Sequence, residues 1–178
     1  MIDYEILDAA QAQQEHPALC EVLTRCVAQG ASIGFIDAAD QLSVTRFWQD
    51  VVYSLASGDK QLLVAREQGR IVGTIIVVLG MMPNGSHRAE ISKLLVHPRA
   101  RRQGIARQLM LQAEQIAVQA QRTLLVLDTR SGDVAEQLYL SLGWQVAGSI
   151  PCYARSTAGE FDATTVMYKL TGQNSDRS

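Results

Sequence analysis

Arginine residues are concentrated in one short segment of the chain. Residues 94–110, with the sequence LLVHPRARRQGIARQLM, contain four arginines: Arg99, Arg101, Arg102 and Arg107. Gly104 directly precedes an apolar pattern of helical spacing, so the free N–H groups of a first helical turn would surround a position that has no side chain. Such N–H groups, the positive end of the helix dipole and guanidinium groups all favour an anion. We predict that residues 102–107 form an anion site suited to a pyrophosphate.

The charge of the whole chain limits which anion this site would bind. The sequence has 16 Lys and Arg residues against 18 Asp and Glu residues, a formal net charge of −2, so its basic density is local. A protein that binds duplex nucleic acid more often has a broad basic face and a basic total charge. Neither G-x-G-x-x-G nor G-x-x-x-x-G-K-[ST] occurs, which disfavours nicotinamide-binding and P-loop proteins. We therefore expect a compact nucleotide phosphate as the ligand, and no nucleic-acid partner.

Two acidic residues lie in segments whose pattern predicts strands. Glu90 is within the strand that leads to the arginine segment, where a carboxylate is unfavourable unless it has a function or faces solvent. The alternation permits both interpretations, a proton acceptor or a solvated charge on the outward face. Asp128 ends a predicted parallel strand, on the side where ligands usually bind. It could bind a substrate cation, act as a base or anchor the following helix.

Hydrophobic periodicity predicts the elements that position these residues. Apolar alternation or continuous apolar runs predict strands at residues 2–7, 60–66, 71–79, 88–96, 123–127, 145–154 and 162–170. Apolar residues at helical spacing predict helices from Pro17 to Gly30, from Val44 to Gly58, from Ile105 for about 17 residues, and from Asp133 to Gly143. In the last of these helices, Asp133 and Glu136 have the spacing of a capping box.

The order of these elements indicates the fold class. The strand, helix and strand between residues 88 and 128 require a parallel pair, because two strands joined through a helix run in the same direction. We therefore expect an α/β (α+β) fold, with a mixed, mainly antiparallel sheet, a central parallel pair and flanking helices. We expect one domain over residues 1–170, without repeats or linkers, and a frayed polar tail over residues 171–178.

Composition and length favour an ordinary globular protein of the cytoplasm. The chain has 178 residues, 47% of them hydrophobic, and three cysteines, which excludes a disulfide framework and a Cys-rich zinc site. We expect the cysteines to be small buried apolar side chains. Residues 71–82 form the longest mainly apolar run, too short for a membrane span of about 20 residues. The acidic start of the chain does not resemble a secretion signal, so we expect no membrane association.

Residues 94–110 and 138–144 resemble two motifs of the GNAT superfamily of N-acetyltransferases. The run Arg101-Arg102-Gln103-Gly104-Ile105-Ala106 matches the coenzyme A signature [RQ]-x-x-G-x-[GA], and Leu94 to Pro98 resembles the strand that precedes it. Residues 138–144, LYLSLGW, resemble the family's Y-x-x-x-G-[FW] ending of the next helix. The predicted element order is also that of the GNAT fold, so the resemblance extends over nearly the whole chain. It implies acetyl-CoA as cosubstrate and contacts to it from these residues: Leu94, Leu95, Val96, Arg101, Arg102, Gln103, Gly104, Ile105, Ala106 and Arg107.

The same resemblance implies catalytic roles for three residues. Acetyl transfer to an amine needs a base, and Glu90 or Asp128 would draw off the amine proton directly or through water. Tyr139 would be the general acid, since a phenol with a pKa near 10 is comparably acidic to the coenzyme A thiol. A structural tyrosine on a core-facing helix is the alternative. A backbone N–H of the Leu94 to Val96 strand, freed by a bulge, would stabilise the oxyanion. His97 is more typical of a turn or phosphate-side residue than of a base, and His16 and His87 have no partners that would suggest a metal site.

A closer resemblance is to the tabtoxin-resistance acetyltransferases. It rests on residues 30–35 (GASIGF), 83–94 (PNGSHRAEISKL) and 127–139 (LDTRSGDVAEQLY). The family typically has an Asn where this chain has Gly132, which removes an expected hydrogen bond to the coenzyme unless Ser131 or Asp133 replaces it. The two glycines of GASIGF could let the backbone approach a ligand, or could form a plain turn between helices.

These resemblances imply an acetyl-CoA-dependent N-acetyltransferase, without a metal, that acts on the primary amine of a small molecule. An amino-acid-like compound or an antibiotic toxin is the expected acceptor. The alternatives are acetylation of a protein Lys or amino terminus, and a non-catalytic acyl-CoA sensor that keeps the anion site. Glu90, Asp128 and Tyr139 argue against the sensor. We expect a monomer or a homodimer.

Overall fold

The computed structural model describes residues 1–172, so most of the predicted frayed tail, residues 173–178, lies outside the described residues. The strands are β1 (Ile2–Leu7), β2 (Lys60–Glu67), β3 (Arg70–Val78), β4 (Arg88–Val96), β5 (Leu124–Arg130), β6 (Gln145–Arg155) and β7 (Phe161–Leu170). The helices are α1 (Ala9–Gln14), α2 (His16–Ala28), α3 (Gln41–Ser57), α4 (Ile105–Gln119) and α5 (Val134–Ser141). Short 3-10 turns occupy Pro83–Gly85 and Pro98–Ala100.

The strands form one mixed sheet in the order β1-β2-β3-β4-β5-β7-β6. Within it β4 and β5 are parallel, and the other neighbouring pairs are antiparallel. The pair lies in the middle part of the sheet, and its strands are parallel because α4 connects them across one face. The predicted α/β class and the central parallel pair are therefore confirmed.

The sheet has a hydrophobic core on each face. One core joins α4 to alternate residues of β3, β4 and β5, among them Ile91, Leu125 and Leu127. The other core joins α2 and α3 to the opposite face and includes the fully buried Trp48. The predicted apolar stripes of both helices belong to this second core, where each buried large side chain contributes about 1.5–3 kcal/mol.

The structure contains a helix that the sequence pattern did not predict. α1 spans six residues, which is too short for an apolar period to be recognised. A capping box fixes its start, because the Gln11 N–H donates to Asp8 Oδ1 at 2.7 Å and the Asp8 N–H donates to Gln11 Oε1 at 2.9 Å.

The predicted capping box of α5 is wrong. Asp133 is the N-cap residue, but its side chain accepts no bond from the helix and instead lies 3.4 Å from Arg130 Nη2. Glu136 accepts from the N–H of Gly132 at 2.8 Å, one residue before the N-cap. The ion pair with Arg130 thus replaces the local hydrogen bond that the spacing suggested.

The cysteines are free and differ in exposure. Cys26 is buried, Cys20 is half-buried and Cys152 is exposed, so the expectation of buried apolar side chains fails for Cys152 on β6. Among residues 1–172, no helix is both long and apolar enough to cross a membrane.

Gly73 sets the close approach of β3 to α4. A Cβ at this position would lie 3.1 Å from Ile105 Cγ2, 3.2 Å from Leu109 Cδ1 and 3.2 Å from the Leu95 carbonyl oxygen. We predict that Gly73→Ala lowers the free energy of unfolding by about 1–3 kcal/mol through overpacking. Urea unfolding measures this. Gly148→Ala is the matched control, because a Cβ there meets nothing within 4 Å; equal stabilities of the two variants would contradict the prediction.

Candidate active site

A cleft opens where β4 and β5 part. The two strands pair only from Arg88↔Leu124 to Glu90↔Val126, although each continues further. Beyond these pairs, the edge of β4 that faces β5 has no ladder partner. Its backbone N–H and C=O groups are therefore open to a ligand in the cleft.

A β-bulge in β4 accompanies this opening. Opposite β3, the pairs change from Ile76↔Ser92 to Thr74↔Leu95, so two residues of β4 face one residue of β3. Lys93 has a φ of 53°, and the Thr74 hydroxyl donates to its carbonyl oxygen at 2.9 Å. A bulge leaves an extra residue outside the ladder, as the resemblance implied for this strand.

The cleft encloses about 410 Å³. It brings together Glu90 and Leu94 of β4, Asp128 of β5 and Tyr139 of α5, which are distant in the sequence. Residues 31–34, which connect α2 to α3, line one side. The GASIGF segment therefore fits both sequence interpretations, since it is a turn between helices and also approaches the cleft.

The carboxylates and the phenol enter the cleft from opposite faces of the sheet. Ile91 and Leu127 are buried in the α4-side core, so strand alternation directs their neighbours Glu90 and Asp128 to the α2–α3 side. Tyr139 belongs to the α4-side core. A molecule bound between β4 and β5 would therefore meet a carboxylate on one side and a phenol on the other.

Several charges in the cleft already neutralise one another. Arg130 Nη2 lies 3.4 Å from Asp133 Oδ1, and Arg130 Nη1 lies 3.7 Å from Asp162 Oδ2. Arg130 also donates to the Gly30 carbonyl oxygen at 3.2 Å, which ties the loop before α3 to β5. Asp128 accepts from the Thr164 hydroxyl at 3.0 Å, whereas the Glu90 carboxylate has no hydrogen bond and no ion pair within 4 Å in the described range. Glu90 is thus the carboxylate free to bind a ligand.

Tyr139 is 7% exposed and packs against Trp144, with ring centroids 6.3 Å apart. Its hydroxyl forms no hydrogen bond with residues 1–172, so it is free to donate to a ligand. Burial, followed by the charges of Asp133 and Asp128, raises the pKa of Tyr139 to about 12. The pKa of Tyr139 is therefore higher than the ordinary phenol value near 10, because the ring is packed inside the core.

The predicted anion site has the expected backbone. Arg102 and Gly104 have φ values of 64° and 73°, and Gly104 is the N-cap of the 15-residue helix α4. No side chain caps the first turn, and a Cβ on Gly104 would meet nothing within 4 Å. Nothing in the protein's own packing therefore requires a glycine here beyond its φ, and space for a ligand lies above it.

The side chains around this turn have different surroundings. Arg101, Arg102 and Gln103 are exposed, and Gln103 Nε2 donates to the Ala100 carbonyl oxygen at 3.3 Å. Arg107 Nη2 donates to Ser141 Oγ at 2.9 Å, which links α4 to α5. Ala106 is half-buried beside it.

Two residues with predicted coenzyme contacts are buried on the core sides. Ile105 lies in the α4-side core, and Leu95 lies in the core beneath α2 and α3. The neighbouring Val96 carbonyl oxygen accepts from the Cys26 thiol at 3.4 Å. Ile105 and Leu95 could therefore reach a coenzyme only through their backbones.

His97 stabilises the turn between β4 and the anion site. Its Nδ1 accepts from the Arg99 N–H at 3.2 Å, and the residue is 7% exposed. Burial and then the nearby Arg99 lower the pKa of His97. It does not line the cleft, which agrees with a turn residue rather than a base.

Gly132 occupies a left-handed position, with a φ of 79°. Both Asn and Gly adopt this conformation more readily than other residues, which explains the exchange physically. Ser131 Oγ lies 2.8 Å from Thr165 Oγ1, and Asp133 is paired with Arg130. Both suggested replacements for the family's Asn therefore already have partners.

Lys93 and Arg130 are cleft residues to which the sequence analysis gave no role there. Lys93 directly precedes the arginine segment, and its spacing does not indicate a place in the cleft. The bulge that turns it into the cleft has no signal in the strand's alternation. For Arg130, the oppositely charged Asp133 three residues later was a signal in the sequence that the two side chains could form an ion pair.

Comparison with known proteins identifies the family. Residues 37–155 match the sequence model described as an acetyltransferase (GNAT) domain. Ribosomal-protein-alanine N-acetyltransferase from Brucella melitensis is 20% identical, with a TM-score of 0.78 over 95% of this chain and 99% of that one. The candidate acetyltransferase yncA from Salmonella typhimurium, solved with its cofactor acetyl-CoA, is 20% identical, with a TM-score of 0.79 over 97% and 95%.

A third solved structure, a candidate phosphinothricin N-acetyltransferase, is 14% identical, with a TM-score of 0.78 over 97% of this chain and 100% of that one. At these identities the structural similarity shows the fold, while the sequence match extends over more than half of the chain. The chain therefore belongs to the GNAT acetyltransferase family.

Proposed function

We propose that this protein is an acetyl-CoA-dependent N-acetyltransferase that acts on the primary amine of a small molecule. The observation that carries the proposal is the cleft between β4 and β5, with Glu90 on one face and Tyr139 on the other. The same strand, β4, continues from this cleft to the anion site at Gly104. One extended ligand along β4 would thus reach both places.

The residues of this chain fit the coenzyme. Acetyl-CoA supplies an acetyl group on a thioester, joined through an amide-containing arm to a pyrophosphate. The uncapped N–H groups of residues 104–107 and the exposed Arg101 and Arg102 would hold the pyrophosphate. The open backbone edge of Leu94 to Val96 would pair with the amides of the arm.

A carboxylate in the cleft would prepare the acceptor amine. A primary amine with a pKa of about 10 arrives protonated, and it reacts only after losing that proton. The Glu90 carboxylate forms no hydrogen bond in the described range, whereas Asp128 is hydrogen-bonded to Thr164. We therefore assign the base to Glu90 and propose that Asp128 binds the ammonium or shares the proton.

Tyr139 would act on the departing sulfur. A phenol with a pKa of about 12 stays protonated throughout the ordinary pH range and always offers its hydrogen. Complete proton transfer to a thiolate whose thiol has a pKa near 10 would be uphill by about 3 kcal/mol. This free-energy cost is smaller than an activation barrier of about 16 kcal/mol, which corresponds to a turnover of about 10 per second. Because complete transfer is uphill, the main role that we propose for Tyr139 is to stabilise the thiolate by a hydrogen bond until the proton follows.

The size of the cleft supports a small acceptor. Its 410 Å³ falls within the range of about 300–1,000 Å³ that is typical of small-molecule pockets. By their names, the Brucella protein acts on a ribosomal protein and the phosphinothricin enzyme on a small compound, so the shared fold does not select the class. Residues from each segment that resembles the tabtoxin-resistance acetyltransferases line this one cleft, which supports a compact amine toxin or amino-acid-like acceptor.

A screen for coenzyme A release tests the proposal. Purified protein with acetyl-CoA is offered free amines, amino acids and peptides, and the products are identified by mass. We expect acetylation of at least one class of free amine. Release of coenzyme A with peptides alone would overturn the small-molecule assignment in favour of a protein acetyltransferase. Binding of acetyl-CoA without turnover in any panel would indicate a sensor.

Glu90→Gln tests the base. Because an amide cannot take up the proton, we predict that kcat/KM for the amine falls by about 10- to 100-fold near pH 7. The loss should shrink toward pH 10, where much of the free amine is already neutral. The measurement is a profile of kcat/KM against pH, with acetyl-CoA affinity as a check on binding.

Glu67→Gln is the matched control, since Glu67 is a half-buried carboxylate at the end of β2. It should leave the profile unchanged. A Glu90→Gln profile that is parallel to the wild-type profile at every pH would contradict the assignment of the base.

A further inference from the structure

Lys93 is a cation in the cleft that forms no close ion pair in the described part of the chain. The β-bulge places it in the cleft wall, where its Nζ lies 5.3 Å from the centre of the Phe47 ring. No Asp or Glu oxygen among residues 1–172 lies within 4 Å of this ammonium group. A half-buried charge that is not in a close ion pair is unfavourable, so its presence here needs an explanation.

No other charge in the cleft forms a close ion pair with Lys93 in the described part of the chain. Arg130 is paired with Asp133 and Asp162. Burial lowers the pKa of Lys93, as does the charge of Lys60, while Glu90 and Asp128 raise it from beyond ion-pair distance. The cleft thus has one unpaired cation and two carboxylates that are not in ion pairs, a charge pattern complementary to a zwitterion.

We propose that Lys93 is a specificity-determining residue that binds an anionic group of the acceptor, while the acceptor's amine lies at Glu90 and Asp128. The acceptor would then carry a primary amine and a carboxylate, phosphonate or phosphate on one small molecule. This inference rests on the proposed function and adds to it the residue that would bind an anionic group of the acceptor.

The position of Lys93 favours the acceptor over the coenzyme as the source of the anion. Its contact with Phe47 of α3 places the ammonium on the α2–α3 side of the sheet, where Glu90 and Asp128 also point. The anion site at Gly104 lies beyond the end of β4, with arginines of its own. The phosphates of the coenzyme therefore have a separate cationic site.

Matched acceptor pairs test this charge requirement. The probes are ω-amino acids from glycine to 6-aminohexanoate, each compared with its carboxamide, together with 2-aminoethylphosphonate compared with ethanolamine. For the best acid in the series, we expect kcat/KM to exceed that of its neutral partner by about 10- to 100-fold, as for one charge-assisted hydrogen bond. Wild-type preference for the neutral partners would overturn the proposal.

Lys93→Met keeps the length and the apolar contact with Phe47 but removes the charge. We expect it to abolish the acid-to-amide preference by slowing the acids alone, while Lys93→Arg retains the preference. Lys60→Met is the matched control, since it removes the other nearby cation, and it should leave the preference intact. An acid-to-amide ratio that Lys93→Met does not change would overturn the proposal.

Two further readouts separate the possible causes. Lys93→Met should bind acetyl-CoA with wild-type affinity by calorimetry, because the anion site is separate; a purely structural lysine would change thermal stability and not the charge preference. If Lys93→Met does not fold, Lys93→Gln also removes the charge and replaces it in the test, together with the acid-to-amide ratio of the wild type.

If neither member of any acceptor pair is acetylated while peptides are, the proposed function fails. If both members are acetylated equally, the proposed function holds and only this inference fails.

Discussion

Gly104→Val is expected to weaken acetyl-CoA binding by at least about 100-fold, equivalent to about 2.7 kcal/mol. The φ of 73° at this position is unfavourable for any β-branched residue, so the first turn of α4 would shift. The valine side chain would also fill the open space above the turn, where a Cβ meets nothing of the protein within 4 Å. Isothermal titration with acetyl-CoA measures the loss.

The backbone strain in this variant has a matched control. Gly58 at the end of α3 has a φ of 85° and also has nothing within 4 Å of a Cβ, but it is remote from the anion site. Gly58→Val should lose stability to a similar degree and still bind acetyl-CoA normally. A wild-type titration curve for Gly104→Val would show that the coenzyme does not bind at this turn, and the proposed function would lose its main support.

Tyr139→Phe is expected to lower kcat by about 100- to 1,000-fold while leaving the dissociation constant of acetyl-CoA nearly unchanged. Phenylalanine preserves the packing against Trp144 and removes only the hydroxyl, which has no partner in the described part of the chain. Since burial raises the pKa of Tyr139 to about 12, the phenol keeps its proton well above pH 10. The variant should therefore lower the whole pH profile without changing its shape up to about pH 10.

Tyr4→Phe is the control for this variant, because Tyr4 is a half-buried tyrosine on β1 whose pKa burial also raises. It should retain full turnover. Turnover that is unchanged in Tyr139→Phe would remove the acid role. A falling limb near pH 10 that is present in the wild type and absent from the variant would show that the phenol ionises at its ordinary pKa, contrary to its burial.

Features that depend on a few neighbouring residues were predictable from the order of the amino acids. Alternation in β4 and helical spacing in α4 predicted both elements, and the helix between two strands required the parallel pair. The anion turn was also predictable, because Gly104 and the arginines around it are contiguous in the chain. In each of these cases the deciding interactions lie within one element or between two consecutive ones.

The way in which the candidate site is assembled is visible only in the folded chain. The bulge at Lys93 depends on the pairing of β4 with β3. The Glu90 carboxylate has no hydrogen bond because Arg130 and Thr164 bind other carboxylates. The pKa of Tyr139 depends on burial in a core built from many elements. Desolvation and ion pairing are sums over groups that are far apart in the sequence, so spacing carries no signal for them. For the same reason the pattern at Asp133 suggested a helix cap, while the folded chain uses that carboxylate to neutralise Arg130.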